Sequence, residues 1–318
     1  MALDHYVPQV HLRNFYAPAL GERLYAVRKS DLRAFTPNSK GVCAINDGST
    51  NAFLREDRAI EEFLRTIEPN YDGAVRNLAS GKIDGETIYT LAGFVASIVA
   101  CSPTNMRLGQ RPLEKTVQAT AATLDEKGLM PPPPPELAGK TLTKMIKSGE
   151  VVIKVDPKYP QAMGIAGIMQ HTVMFGNFGW EVLHNGFEDS PFFTSDFPAA
   201  IELSADPRVL NRLVPLTPNL AIRIIPDLKV KEKNPDFSFA HFDYRSRKVG
   251  RGEVSAINRL IVQCAEETVI YCDERPWVRP FIAKNRHFRI QPHSYEVTTA
   301  KGAALRFTQR VGEQKQPG

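Results

Sequence analysis

Residues 180–198 read WEVLHNGFEDSPFFTSDFP, and at this stretch the texture of the chain changes. Trp180 to His184 alternates apolar and polar side chains as a half-buried strand does, and Asn185-Gly186 is a turn pair of the kind that closes hairpins. Phe192-Phe193 then carry an apolar strand into Thr194-Ser195-Asp196, which Phe197-Pro198 ends. Further strands are expected at 199–203, 213–216, 220–225 and 268–272, with a last one at 295–298. Upstream, the apolar residues fall mostly at helical spacing: Ile60, Phe63, Leu64 and Ile67, then 86–101, 113–127, 137–147 and 157–176. Only 24–28 and 33–36 read as strands in that half, and 42–52 and 236–252 read as loops. Two further helices are expected at 254–265 and 276–284. Without regular βαβα alternation, the expected class is α+β, a helix-rich first half packed against a mostly antiparallel sheet formed largely by the second half.

The composition is that of a globular chain: 318 residues, 42% hydrophobic, 24% charged, net charge +5. That small excess admits a polyanionic partner without the basic stripe that would demand one. Cys43, Cys101, Cys264 and Cys272 form no Cys-x-x-Cys pair, so neither a zinc ribbon nor a dithiol motif is indicated, and their sparse use fits a reducing compartment. The N-terminal residues lack the pattern of a secretory leader, and the apolar run 91–101 is shorter than the ~20 residues a bilayer span takes. A cytoplasmic protein without a membrane partner is therefore expected. Pro131 to Pro135 must be extended polyproline, a stiff spacer or exposed loop within an insertion at 128–140, and the polar tail 312–318 is expected to fray.

No dinucleotide fingerprint, Walker loop, His-Glu-x-x-His or nucleophile elbow is present. Four features stand out instead. His5 and Gln9 lie four apart at the entry of a short helix that Pro8 starts and whose Leu12 and Phe15 share one face. Glu61 and Glu68, seven apart, share a helix face and could hold a cation only alongside other ligands. Asp196 sits at a strand end, where it either serves a site or closes an Asx turn. His171 stands on an otherwise apolar helix, where a hydrogen-bonded core role is the commoner one.

These residues carry a resemblance. The opening run HYVPQVHLRNF (5–15), the strand 24–27, the helix Ile60 to Glu68, the segment Phe192 to Pro198 and the Pro-Leu-Thr-Pro segment 215–218 are together similar to the uncharacterised family called domain of unknown function 4238. The resemblance spans about residues 5–265 and implies that 1–318 is one family domain. It also implies that His5, Gln9, Glu61, Glu68, Ser195 and Asp196 belong to shared signatures, with the five-proline run an insertion peculiar to this chain.

The expectation built on these residues is a metal-assisted hydrolase, phosphodiesterase or nuclease-like. His5, Asp196 and Glu61 would be its catalytic groups, and Glu61, Glu68 and Asp196 would hold Mg²⁺ or Mn²⁺. Gln9, Ser195, Arg245 and Lys248 would bind the substrate, a nucleic acid or a phosphorylated small molecule, with Arg247 and Arg251 in the same basic segment. The alternative is a non-catalytic ligand-binding or sensor module. A third reading gives the signatures to the fold alone.

Overall fold

The computed structural model describes residues 2–133, 135–137, 139–206, 208–299 and 302–314. Pro134, the fourth residue of the five-proline run, and the end of the tail expected to fray, 315–318, lie outside the described residues.

The chain opens with β1 (Leu3–His5), α1 (Gln9–Arg13), β2 (Tyr25–Arg28), β3 (Ala34–Phe35) and β4 (Ala44–Asn46). A helical block follows: α2 (Ala59–Ile67), α3 (Tyr71–Ala79), α4 (Gly85–Cys101), α5 (Pro103–Glu126), α6 (Leu142–Ser148), α7 (Lys158–Ala166) and α8 (Ile168–Asn177). At its centre lies α4, which Asp84 caps by accepting the Thr87 N–H at 2.8 Å. Nearly every residue from Thr87 to Cys101 is buried, as a helix apolar all round must be. A close approach fixes α7 against it: a Cβ at Gly164 would lie 3.0 Å from the Ala100 backbone. No single described helix is long and apolar enough to cross a membrane.

Ser102-Pro103 ends α4 and at once starts α5, because Ser102 caps the Asn105 N–H and Pro103 gives up an N–H that would have no partner there. The helix therefore begins well before the expected residue 113 and carries Pro112 inside it. That earlier first turn is what brings Arg107 and Arg111 into a regular helix.

The second half supplies β5 (Gly179–His184), β6 (Thr194–Ser195), β7 (Ala200–Leu203), β8 (Leu210–Thr217), β9 (Leu220–Ile225) and β10 (Asp243–Lys248). It closes with α9 (Arg251–Cys264), β11 (Thr268–Tyr271), α10 (Val278–Asn285), β12 (Phe288–Thr299) and β13 (Gly302–Glu313). Five strands form a sheet in the order β10-β5-β9-β8-β7, antiparallel except for the β10–β5 pair. A second sheet runs β3-β2-β11-β6, all antiparallel, so strands from both ends of the chain share it. Helices mostly in the first half and mostly antiparallel sheets make the fold α+β. Apolar residues of both halves, from Val7 and Phe94 to Ile222 and Ile290, pack in one core.

Three expectations are corrected. Asn185-Gly186 closes no hairpin: β5 pairs with β9 and β10, and β6 lies in the other sheet. Asn185 instead ties its neighbourhood together, donating to Ser190 O at 2.8 Å and accepting the Phe187 N–H at 2.9 Å. The segment 236–252, expected as loop, contains β10, whose polar side chains gave no alternation because this edge strand is exposed on almost every residue. The tail does not fray at 312–313, since β13 reaches Glu313 and pairs there with Phe288.

Candidate functional site

Asp196 is the hub of a buried polar cluster. It is 3% exposed, and its carboxylate accepts the backbone N–H of Glu266 (2.9 Å), Glu267 (2.8 Å) and Thr268 (2.8 Å). Burial lifts its carboxyl to about 6, against the downward pull of the Thr268 and Glu267 N–H groups and of Lys29. At neutral pH it is therefore ionised and serves as an acceptor. Lys29, equally buried, donates to Ala265 O at 2.6 Å and Phe288 O at 2.8 Å, and burial brings its ammonium down to about 8. One carboxylate just past β6 and one ammonium just past β2 thus clamp residues 265–268, where α9 turns into β11. Tyr6 and Cys43 lie close enough to Asp196 to feel its charge: burial and then Asp196 push the Cys43 thiol up, and burial, then Cys43, then Asp196 push the Tyr6 hydroxyl up.

The clamped segment presents Glu266 to α5. Arg107 meets it in a two-pronged pair, Nε and Nη2 each 2.6 Å from a carboxylate oxygen, and Thr104 adds a third bond at 3.1 Å. Arg107 also donates to Ile290 O of β12 at 2.9 Å. Along this seam, between α5 and the β12–β13 hairpin, opens a cavity of about 1170 Å³. Its charged lining is Arg107, Arg111, Arg289 and Arg310 against Glu114 and Glu313. Arg107 and Arg111 lie one turn apart on α5, while Arg289 opposes Gly312 and Gln291 opposes Arg310 across the hairpin. A Cβ at Gly312 would press within 3.0 Å of the Gln291 amide, so this glycine leaves room for that side chain. The guanidinium of Arg289 is held below its ordinary value by burial and then by Arg107 and Arg111, and its Nε is buried without a partner. Glu266 reaches Arg289 only at 3.8 Å. The cleft concentrates positive charge that its own carboxylates do not match.

The residues expected to form a catalytic site stand elsewhere. His5 lies on β1 with Nε2 3.2 Å from Lys40 O, beside a cavity of about 10 Å³ that holds one water at most. Gln9 accepts from Ser39 Oγ at 3.2 Å, and Tyr16 in turn donates to that hydroxyl at 2.9 Å. Ser195 is fully buried and accepts the Phe197 N–H at 3.1 Å, an ST turn. Glu61 sits 3.7 Å from Arg58. Glu68 is near enough to Glu61 and Arg13 that burial and then Glu61 raise its carboxyl while Arg13 lowers it. Among the described residues no three His, Cys, Asp or Glu side chains come together as a metal would need, so Glu61, Glu68 and Asp196 are not gathered into one set of ligands.

The basic segment 245–251 is engaged with carboxylates. Glu181 of β5, 3% exposed, takes Arg223 of β9 and Arg245 of β10, its two cross-strand neighbours, together with Arg247 at 3.2 Å. Arg247 bridges on to Glu253, Arg223 to Glu202, and Arg251 pairs with Asp189 at 2.9 Å while lying 4.6 Å over the Phe187 ring. Lys248 is exposed at the end of β10.

One residue of the opening run that drew no attention as a site, His11, is fully buried. Its Nδ1 lies 2.8 Å from the Tyr71 hydroxyl and its Nε2 2.8 Å from Thr194 Oγ1, and its ring stacks on Phe94 at 4.9 Å. Burial alone drives its pKa down to about 3, so the ring is neutral and one nitrogen donates while the other accepts. His11 joins α1, α3 and β6, and thereby the opening signature to the Thr-Ser-Asp-x-Pro signature. Its signal was available in the sequence: it precedes Phe15 by four residues, on the face that docks. His171, by contrast, is only partly buried, with an Nδ1 that has no partner and a pKa lowered by burial and by Arg212.

An α+β core stapled at Asp196 and His11, with an arginine cleft at its margin, is the class of molecule these features define. The model of the family described as protein of unknown function (DUF4238) matches residues 4–275, and the chain belongs to that family. No curated protein and no solved structure matches it. The match covers α5 and the clamp at 265–268, while β12 and β13 lie beyond it.

Proposed function

We propose that the protein is a ligand-binding module that takes a polyanion in the cleft between α5 and the β12–β13 hairpin. The observation that carries this reading is the convergence of Arg107, Arg111, Arg289 and Arg310 on one cavity, where burial first and then Arg107 and Arg111 lower the Arg289 guanidinium. Crowded guanidinium groups repel one another, and an anion that bridges them relieves that repulsion while accepting charge-assisted hydrogen bonds. The signature residues support the cleft from beneath: Asp196 fixes 265–268, Glu266 on that segment fixes Arg107, and Arg107 ties α5 to β12. On this reading Asp196 and His11 are scaffold residues, and binding rather than turnover is the activity.

The test is calorimetric titration of wild type and of the Arg111→Glu/Arg310→Glu double variant with sodium tripolyphosphate. Both side chains are exposed, so the variant keeps its fold. Saturable binding to the wild type that the variant loses is the expected result. Release of orthophosphate from tripolyphosphate that chelator abolishes would favour the metal-assisted hydrolase reading instead.

A further inference from the structure

We infer that the cleft's ligand is a compact, multiply phosphorylated small anion rather than a nucleic acid strand; this rests on the reading of the cleft as a polyanion site. Among the described residues, besides its four arginines and two glutamates, the cleft's lining consists of Gln110, Gln291, Pro292, Val311, Gly312 and Gln314, with no aromatic ring among them. Sequence-tolerant recognition of single strands depends on aromatic faces on which bases stack, and a site without them forgoes the main non-electrostatic attraction a strand offers.

The distribution of charge points the same way. An extended backbone is met by a basic track, whereas these arginines come from three elements and face one volume: two from a single face of α5, one from β12 and one from β13. Glu114 and Glu313 share that lining and would repel phosphates outside the arginine cluster. At about 1170 Å³ the cavity stands slightly above the usual range for small-molecule sites, about 300–1,000 Å³, and has room for several phosphate groups at once. The amides of Gln110 and Gln291 already donate to Val155 O and Glu313 O at 2.9 and 2.8 Å, and Arg107 is bonded to Glu266, so the charged donors that face the cavity are chiefly those of Arg111, Arg289 and Arg310. Paired guanidinium donors match the geometry of phosphate oxygens.

The experiment compares sodium tripolyphosphate with a 12-residue oligouridylate on the intact protein at equal salt, in wild type, Arg111→Ala, Arg310→Ala and Lys248→Ala. Tripolyphosphate should bind at least about tenfold more tightly than the oligonucleotide, and each arginine variant should lose roughly tenfold or more, the worth of one charge-assisted hydrogen bond. Lys248→Ala should change nothing. An oligonucleotide that binds more tightly, and is lost in the arginine variants, overturns the ligand class while leaving the polyanion reading intact. If neither ligand binds, or if Lys248→Ala alone abolishes binding, the polyanion reading of the cleft fails, and this inference with it.

Discussion

Replacing His11 by glutamine should destabilise the protein at neutral pH and much less in mild acid. The folded ring titrates at about 3, against 6.5 for an ordinary histidine, because burial disfavours its charged form. A depressed histidine contributes stability that is complete above pH 6.5 and is lost as pH falls toward 3, since the unfolded chain takes up the proton first. The full loss across that window is about 5 kcal/mol, and at pH 5 the linkage relation gives about 2 kcal/mol. At pH 7.5 glutamine forfeits the ring contacts with Phe94 and Phe15 and strains the bonds to Tyr71 and Thr194, a cost of about 3 kcal/mol. The penalty at pH 5 should therefore shrink to about 1 kcal/mol. Asp196 acts with the opposite sign: its folded pKa is raised to about 6, so its protonation adds stability as pH falls through 6 toward 3.8. Because Asp196 titrates in both proteins, the difference between them removes its effect. Urea unfolding followed by the fluorescence of Trp180 and Trp277 at the two pH values measures this difference. An equal penalty at both would refute the claim that His11 is held neutral in the fold.

Other consequences are equally open to measurement. Glu181→Gln leaves Arg223 and Arg247 around an amide in place of a buried carboxylate and should cost about 3–5 kcal/mol in chemical denaturation. Asp196→Asn turns an amide N–H toward backbone donors at 266–268 and should cost about 3 kcal/mol, with faster hydrogen exchange at those amides. The same variant should weaken tripolyphosphate binding only a few-fold, because it loosens the support of Arg107 and leaves Arg111 and Arg310 in place.

Much of the fold was legible because its signals are local. The apolar period of α2, the largely apolar α4 and the strands β8 and β9 follow from side-chain spacing alone. What escaped was set by distant partners. β10 reads as loop because a polar edge strand has no buried face, and only Glu181 and the neighbouring strand explain its arginines. Nothing in the local sequence marks Lys29, yet it is buried because the carbonyls of Ala265 and Phe288 await it more than 230 positions away. The site was less legible still. The signature positions are identifiable as special, but Asp196 and Ser195 at a strand end look alike in sequence whether they hold a ligand or hold backbone N–H groups. The cleft arginines lie between 107 and 310 with no common motif, and nothing short of the packing of β12 on α5 draws them together.

The central claim, that the α5–hairpin cleft is an anion site, is tested most directly by locating a bound oxyanion. Crystals of the wild type soaked with tungstate report each site by the metal's anomalous signal. The account predicts tungstate between α5 and β12–β13, within hydrogen-bond distance of Arg111, Arg289 or Arg310. Tungstate on β10 at Lys248 with an empty cleft would contradict it.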